Sequence, residues 1–218
     1  MKAAPAHAAP MRGNRQRQRT RTALLGAGQR LLATRPIEGI TIDDIVAEAD
    51  VAKGSFYNHF NDKDDLVRSI QQLFQGDCEF HIFAANSEVE DSPQRIVRAM
   101  CVVLRYGIEH PERLQAMMRV ADFETLEDTP LSVGLSTDVR RGIEAGRLRD
   151  IDQDTAILVV HGLVNSAVAH VTSPENAFSP VELGTKLGGA MLRGLGVDRE
   201  EAGAIAAAAA TDILGGKA

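Results

Sequence analysis

The chain has little of what builds disulfide-rich, β-rich or aromatic-rich proteins. Its 218 residues include no tryptophan, only 4% aromatic residues, and two cysteines, Cys78 and Cys101. Two cysteines do not make a disulfide scaffold, so a reducing cytoplasm is the natural location. Proline is sparse after residue 36, strand-like alternation does not persist, and alanine, leucine, valine and isoleucine are plentiful. We therefore expect an all-α protein with one small and one larger domain.

The motifs of common enzymes and membrane proteins are also missing. The sequence has no nucleophile elbow, phosphate-binding loop, Cys-x-x-Cys or His-Glu-x-x-His pattern. No apolar run approaches the length of a membrane span, and residues 1–10 lack the apolar core of a signal peptide. The six histidines are scattered. We expect no enzymatic activity, no cofactor and no metal; a metal sensor or a redox switch between Cys78 and Cys101 remains an alternative.

Charge is distributed unevenly along the chain. Residues 1–35 contain eight basic residues and no acidic ones, whereas the remainder has sixteen basic against thirty acidic residues. An acidic body repels nucleic acid everywhere except at the basic end. Four arginines alternate before the first helix, so they cannot share one helical face: Arg15, Arg17, Arg19 and Arg21. We predict an arm, residues 1–18, that partly orders on a phosphate backbone or in a minor groove. Before Arg15, a solubilising tail is the alternative.

The most informative pattern is a pair of short amphipathic helices. Thr41 and Asp44 have the spacing of a capping box. An apolar stripe with helical spacing follows, formed by Ile42, Ile45, Val46 and Ala49. The stripe breaks at Asp50-Val51, and a second helix is predicted from about residue 52 to residue 60. Helix, short turn, helix is the unit whose second helix enters the major groove of DNA.

The outward face of that second helix is suited to reading DNA. With Phe56 facing the core, Gly54 and Asn58 point outward at 100° per residue. Ser55 and Tyr57 lie on the flanks, and Lys53 and His59 lie nearer the rim. Asparagine can bond adenine at two positions and serine can bond any base, while the other polar side chains suit phosphate oxygens. A solvated face of an ordinary helical hairpin is the alternative.

A third helix follows at once and begins with a lysine. Asn61 and Asp64 form another capping pair, which starts this helix at about Asp62. Lys63 then lies in the first turn, where a cation opposes the helix dipole. Its position is understandable if an anion is held there, since helix N-termini attract phosphate. An indifferent exposed lysine is the alternative.

From Arg19 to Val67 the sequence resembles the DNA-binding domain of the TetR family of transcriptional repressors. The matching stretches are Gly39-Ile40-Thr41, Ile45 to Ala49, Val51 to Phe60 and Lys63-Asp64-Asp65-Leu66. The resemblance implies a three-helix helix-turn-helix head, residues 19–65, and a larger helical effector-binding and dimerisation domain, residues 66–218. It also implies that operator DNA is contacted by Thr41, by the helix carrying Lys53 to His59, and by Lys63. Arg19 joins this set from the basic lead-in.

The remaining chain is predicted to be helical throughout. We place helices at 20–34, 63–86, 93–109, 111–124, 130–146, 153–172, 179–195 and 199–213. The helices at 153–172 and 179–195 are apolar on more than one side, and Gly184, Gly188 and Gly189 allow close approach, which predicts a homodimer interface. The alternative is the internal core of a monomer. The alanine-rich last helix has little to bury and is expected to fray.

An effector pocket is expected among the helices from 63 to 172. Adaptable apolar surface is available from Phe80, Phe83, Met100, Leu104, Met117 and Phe123, most of which would be ordinary core. His161 and Asn165, one turn apart in an apolar helix, are candidate polar anchors, although an interface or core hydrogen bond is the alternative. Further polar candidates are Arg105, Arg119 and Asp122.

These patterns predict a ligand-responsive transcriptional regulator, a repressor that binds a palindromic operator as a cytoplasmic dimer. A small, largely apolar effector would release it from DNA, and no membrane is involved. The alternatives are a transcriptional activator, or a helical partner-binding, redox-sensing or metal-sensing regulator without a small-molecule effector.

Overall fold

The computed structural model describes residues 12–120, 130–171, 173 and 176–216, and every regular element among them is helical. Ten α-helices and one short 3₁₀ turn, Ile37–Gly39, make up this part of the chain. The helices are α1 Arg12–Thr34, α2 Ile42–Glu48, α3 Lys53–Tyr57, α4 Lys63–Ala85, α5 Ser92–Glu109, α6 Pro111–Val120, α7 Pro130–Glu144, α8 Gln153–Val171, α9 Pro180–Gly194 and α10 Arg199–Leu214. The predicted all-α fold is confirmed.

The head is built from α1, α2, α3 and the start of α4. Its core combines the apolar faces of these helices, including Leu24, Leu32, Ile45, Phe56 and Phe60, all nearly inaccessible to solvent. The capping box at Thr41 and Asp44 is present in both directions. Asp50 adopts a left-handed backbone conformation, with φ of 52°, and ends the α2 segment. The capping box thus marks the start of α2, and Asp50 lies in the turn between α2 and α3.

The N-terminal helix is longer than the sequence pattern indicates. Residues 12–18, expected in an arm, belong to α1. Arginine is a good helix former and no proline lies between Pro10 and Pro36, so nothing interrupts the helix. Its alternate arginines divide between two sides. Arg15 and Arg19 border a surface groove, whereas Arg17 and Arg21 turn toward α3 and α4.

The body packs around α5, which contacts α4, α6, α7, α8, α9 and α10. Asp91, Ser179 and Asp198 cap α5, α9 and α10 by accepting hydrogen bonds from backbone N–H groups in the first turns. The body core joins residues of α4 to α10 with the segments after α7 and α9.

The last helix is an internal element, contrary to the expectation that it frays. The inward face of α10 is made of small residues, and Ala202, Ala206, Ala209 and Ala210 are buried. This face packs on α9, where a Cβ added to Gly184 would lie 2.8 Å from Leu214 Cδ1 and 3.2 Å from Ala210 Cβ. The close approach expected between subunits therefore occurs, at Gly184 and Gly188, within one subunit.

Head and body share α6. Ala116 belongs to the head core, while Leu114 and Met117 belong to the body core. Gln71 Nε2 of α4 donates a hydrogen bond of 2.9 Å to the carbonyl oxygen of Val120. Together α4 and α6 make the junction between the two domains.

Among the described residues, one helix, α8, is long and apolar enough to cross a membrane by length and composition alone. This finding differs from the expectation that no apolar run approaches the length of a membrane span. Inside the protein α8 packs against α5, α7 and α9. Core helices of soluble proteins meet the same criterion, and the outward side of α8 is considered below as subunit surface.

Candidate DNA interface and effector cavity

The outward face of α3 lies where the helical wheel places it. Gly54 and Asn58 are exposed, Tyr57 is 55% exposed, and Ser55 is partly buried. Phe56, on the opposite side, is fully buried and contacts Phe60 with ring centroids 5.6 Å apart. A Cβ added to Gly54 would meet nothing within 4 Å, so the backbone there is open to a partner. The face offers hydrogen-bonding groups and no large aliphatic side chain.

Two ionisable side chains, Lys53 and His59, lie at the two ends of this face. Lys53 Nζ lies 2.7 Å from Asp43 Oδ1, which raises the pKa of Lys53 and links α3 to α2. At the other end His59 is partly buried, and burial lowers its pKa, with Arg17 and Arg21 adding to the effect. His59 is therefore neutral at pH 7, able to donate one hydrogen bond and accept another.

Lys63 has an intramolecular role that the sequence did not suggest. Its Nζ donates hydrogen bonds of 2.6 Å to the carbonyl oxygen of Ile37 and 2.9 Å to that of Ile40. The cap of α4 is Asp62, whose carboxylate accepts from the N–H of Asp65, rather than the predicted pair of Asn61 with Asp64. Lys63 thus fastens α4 to the 3₁₀ turn before Thr41, and only one N–H remains for an anion.

The DNA contact set predicted from the sequence lies on contiguous parts of the head. Thr41 is exposed at the start of α2, its hydroxyl engaged with Asp44. Arg19 is exposed on α1. Arg17, which was not included in that set, lies 3.5 Å from the carbonyl oxygen of Asn58 and is near the end of α3. Arg17 lies two residues before Arg19, and residues two apart on a helix point to different sides. This spacing could have indicated a separate role for Arg17.

A cavity of about 180 Å³ lies in the body between α4, α5, α6, α7 and α8. Met100, Met117, His161 and Asn165 line it, as do Phe74 and Met118. The cavity is also lined by residues that were not predicted from the sequence, namely Leu131, Ser132 and Leu135 of α7 and Gln75 of α4. The i, i+4 spacing of Leu131 and Leu135 was a usable signal. Within the described part of the lining, no side chain carries a charge.

Several residues predicted for the pocket lie elsewhere. Phe80 and Phe83 are 70% and 75% exposed on the outer side of α4, because Phe74 and Ile82 occupy the inner side. Leu104 is buried in the body core without lining the cavity. Arg105 and Arg119 point to solvent. Phe123 and Asp122 lie outside the described residues.

His161 and Asn165 are the polar side chains that α8 contributes to the cavity. Burial lowers the pKa of His161, so its imidazole is neutral at pH 7. Within the described residues neither side chain has a hydrogen-bond partner, although both are partly buried. The expected core partner is therefore not found among these residues, and a partner across a subunit interface stays a prediction.

Two observations concern the metal and redox alternatives. No group of three or more potential metal ligands occurs among the residues that the structure describes. Cys78 and Cys101 are free thiols buried in the body core, and burial raises the pKa of each to about 12. Thiols with such pKa values form very little thiolate at neutral pH and react slowly.

The sequence and fold match known proteins in both domains. Residues 24–70 match the family described as "Bacterial regulatory proteins, tetR family", and residues 93–208 match "Tetracyclin repressor-like, C-terminal domain". The chain is 34% identical over 121 residues to the HTH-type transcriptional repressor DhaR of Mycobacterium sp. (strain GP1), covering 56% of this chain and 58% of that protein. The chain thus aligns with less than two thirds of this relative.

Solved structures share the fold. An ArpA-like γ-butyrolactone receptor matches with a TM-score of 0.67 and 22% identity, over 90% of this chain and 99% of the receptor. RolR in complex with resorcinol matches with a TM-score of 0.58 and 22% identity, over 88% and 95%. Because the second domain match alone spans more than half of the sequence, the chain belongs to the TetR family of bacterial regulatory proteins, with a helix-turn-helix head followed by a tetracycline repressor-like C-terminal domain.

Proposed function

We propose that this protein is a cytoplasmic transcriptional repressor that binds a palindromic operator as a homodimer and leaves it when a small effector occupies the body cavity. The main observation behind the proposal is the exposed face of α3. Gly54 and Asn58 are open to solvent there, and side chains suited to phosphate oxygens lie on either side. The family is one of regulators, which are not normally enzymes. The similar proteins named above include a repressor and two ligand-binding receptors or regulators, in line with this function.

The outward stripe of α8 supports a dimer through α8 and α9. Leu158 is 71% exposed, and Gly162, Ser166 and Ala169 follow on the same side, without a charged residue among them. A solvated helix normally carries charges on its outer face, so an uncharged stripe of this length indicates a partner surface. Small residues would let a second α8 approach closely. The outer side of α9 adds charged residues at the edge, where Lys186 Nζ lies 2.8 Å from Glu182 Oε1.

The junction helices supply the route from the cavity to the head. α4 begins in the head at Lys63 and lines the cavity with Phe74, while α6 contacts the head through Ala116 and the cavity through Met117. A ligand lowers DNA affinity only if it binds better to the conformation in which the two heads are wrongly spaced for successive major grooves. We propose that occupancy of the cavity moves α4 and α6 together and changes that spacing.

The cavity favours a largely apolar effector. Its described lining is mainly aliphatic, aromatic and methionine side chains, with no charge, so a nucleotide or a highly hydroxylated sugar would lose hydration without compensation.

The test uses the full-length protein and a DNA duplex selected for binding from a random pool. We expect a two-fold symmetric sequence, bound by one dimer, with affinity that falls steeply as salt rises. Ala99→Leu, which fills the cavity from α5, should leave this affinity intact and abolish release by an effector found in a compound screen. The exposed Ala204→Leu on α10 is the matched control. Failure to enrich any duplex from the pool would contradict the proposed function.

A further inference from the structure

Four uncharged polar side chains line the cavity: Gln75 from α4, Ser132 from α7, and the neighbouring pair His161 and Asn165 from α8. His161 and Asn165 lie one turn apart on α8 and both line the cavity, whereas Met100, Val103 and Met117 form apolar walls from α5 and α6. Residues four apart are neighbours on a helix surface. A ligand in the cavity therefore meets two adjacent polar side chains on α8, single polar groups at Gln75 and Ser132, and apolar atoms elsewhere.

The chemistry of this pair selects one kind of polar group. Neutral histidine has one nitrogen that donates and one that accepts, and the asparagine amide also has a donor and an acceptor. A hydroxyl group matches both, because its oxygen accepts one hydrogen bond while its proton is donated in another. A carboxylate can only accept and an ammonium can only donate, and either charge would be buried without an opposite charge in the described lining.

The size of the cavity sets a second limit. An engineered apolar cavity of about 150 Å³ accommodates benzene, and this cavity measures about 180 Å³. A single six-membered ring with one or two small substituents therefore matches the space in the cavity.

We infer that the effector is a neutral, single-ring aromatic compound bearing a hydroxyl group that is bound by His161 and Asn165. This inference rests on the proposed function, since it assigns the ligand class of the same cavity. A preference for a hydroxylated ring differs from a general preference for apolar ligands, because a cavity without polar side chains disfavours a hydroxyl group. In that case a methyl group of similar size is preferred.

The test compares phenol, toluene and benzoate as probes of the full-length protein by calorimetry at neutral pH. We expect phenol to bind at least about tenfold more tightly than toluene, the effect of one or two net hydrogen bonds, and benzoate not to bind measurably. His161→Leu and Asn165→Leu should each reduce or reverse the preference for phenol, and His161→Gln, which keeps a donor and an acceptor, should restore most of it. Ala204→Leu, on the exposed side of α10 and away from the cavity, should leave the preference unchanged.

The outcomes separate this inference from the proposed function. Toluene binding as tightly as phenol, or a phenol preference that survives both leucine substitutions in folded protein, would overturn the ligand class. Thermal unfolding of each variant establishes that it is folded, and if His161→Leu is not, Asn165→Leu decides. Operator binding without any probe is measured on the same preparations; its absence in the wild-type protein would contradict the proposed function, whatever the probes do.

Discussion

Ala116 and Met117 are consecutive residues of α6 that face two different hydrophobic cores. Ala116 is fully buried in the head core with residues of α1 and α4, and Met117 lines the cavity in the body. Consecutive side chains on a helix point about 100° apart. A rotation of α6 that makes room at Met117 therefore also moves Ala116 against the head, so the two domains cannot respond independently.

Enlarging Ala116 should disturb the head without touching the cavity. Ala116→Leu inserts three carbon atoms where no space exists, which typically costs about 1–3 kcal/mol. We expect a lower thermal midpoint and weaker operator binding in the absence of ligand. Gln115→Leu, on the exposed side of the same turn, is the control and should change neither. Unchanged operator affinity in a folded Ala116→Leu protein would show that α6 does not position the head.

Lys63 links α4 to the turn before α2 and is also predicted to contact DNA phosphate. Measuring stability separates these two roles. Lys63→Met keeps the aliphatic stem and removes the hydrogen bonds to Ile37 and Ile40. Hydrogen bonds from a charged group contribute about 1.5–3 kcal/mol each at most, and partial exposure places the expected loss toward about 1–2 kcal/mol in urea unfolding. Lys53→Met should leave stability nearly unchanged, because its ion pair is fully exposed. If Lys63 served only phosphate, stability would stay constant and only the salt dependence of DNA binding would fall.

Helix positions were predictable because their signals are local. The Thr41–Asp44 capping box and the prolines at residues 111, 130 and 180 mark helix starts in the sequence itself. The outward placement of Gly54 and Asn58 follows from helical geometry alone.

Orientation within the body was not predictable in the same way. α4 is apolar on more than one side, and composition does not tell which side faces the cavity. In the structure Phe74 lines the cavity, whereas Phe80 and Phe83 are exposed. The role of α10 depends on the complementary glycines of α9, a fit between segments that no single segment reveals. Lys63 likewise finds acceptors more than twenty residues away.

Replacing Asn58 should alter which base is preferred at one operator position. Asn58→Ala removes a side chain able to bond adenine at N6 and N7, and a good contact of this kind discriminates by about 1–3 kcal/mol. We expect the penalty for substituting the contacted base pair to disappear, while the salt dependence of binding is retained. The measurement is fluorescence anisotropy with the selected duplex and its single-base variants. Gln72→Ala, exposed on α4, is the control; an unaltered base preference in Asn58→Ala would contradict the assigned face.

Charge placed on the outward stripe of α8 should separate the subunits. Val164 and Val168 of the same helix line the cavity, so the exposed Leu158 is the appropriate position. Leu158→Glu would bury an unpaired carboxylate in the dimer at a cost of several kcal/mol, while in a monomer the side chain remains in water. We therefore expect a folded monomer in sedimentation with weakened operator affinity. Ala204→Glu on α10 should remain dimeric, and a wild-type protein that sediments as a monomer at micromolar concentration would refute the interface.

The stability of the body should fall as the solution becomes acidic, and His161 should contribute to the fall. Burial lowers the pKa of His161 below its usual value of 6.5. Below pH 6.5 the unfolded chain therefore takes up a proton at this histidine that the folded protein does not, which favours unfolding. The penalty is absent at pH 7.5, grows as the pH falls from about 6.5, and levels off below the lowered pKa of the folded state.

His161→Gln removes this contribution but leaves that of His59, whose pKa is also lowered. Urea unfolding at pH 7.5 and 5.5 should show a larger loss of stability for the wild-type protein than for His161→Gln; an equal loss would show that His161 is solvated in the folded state, and that the cavity wall is open to water at this point.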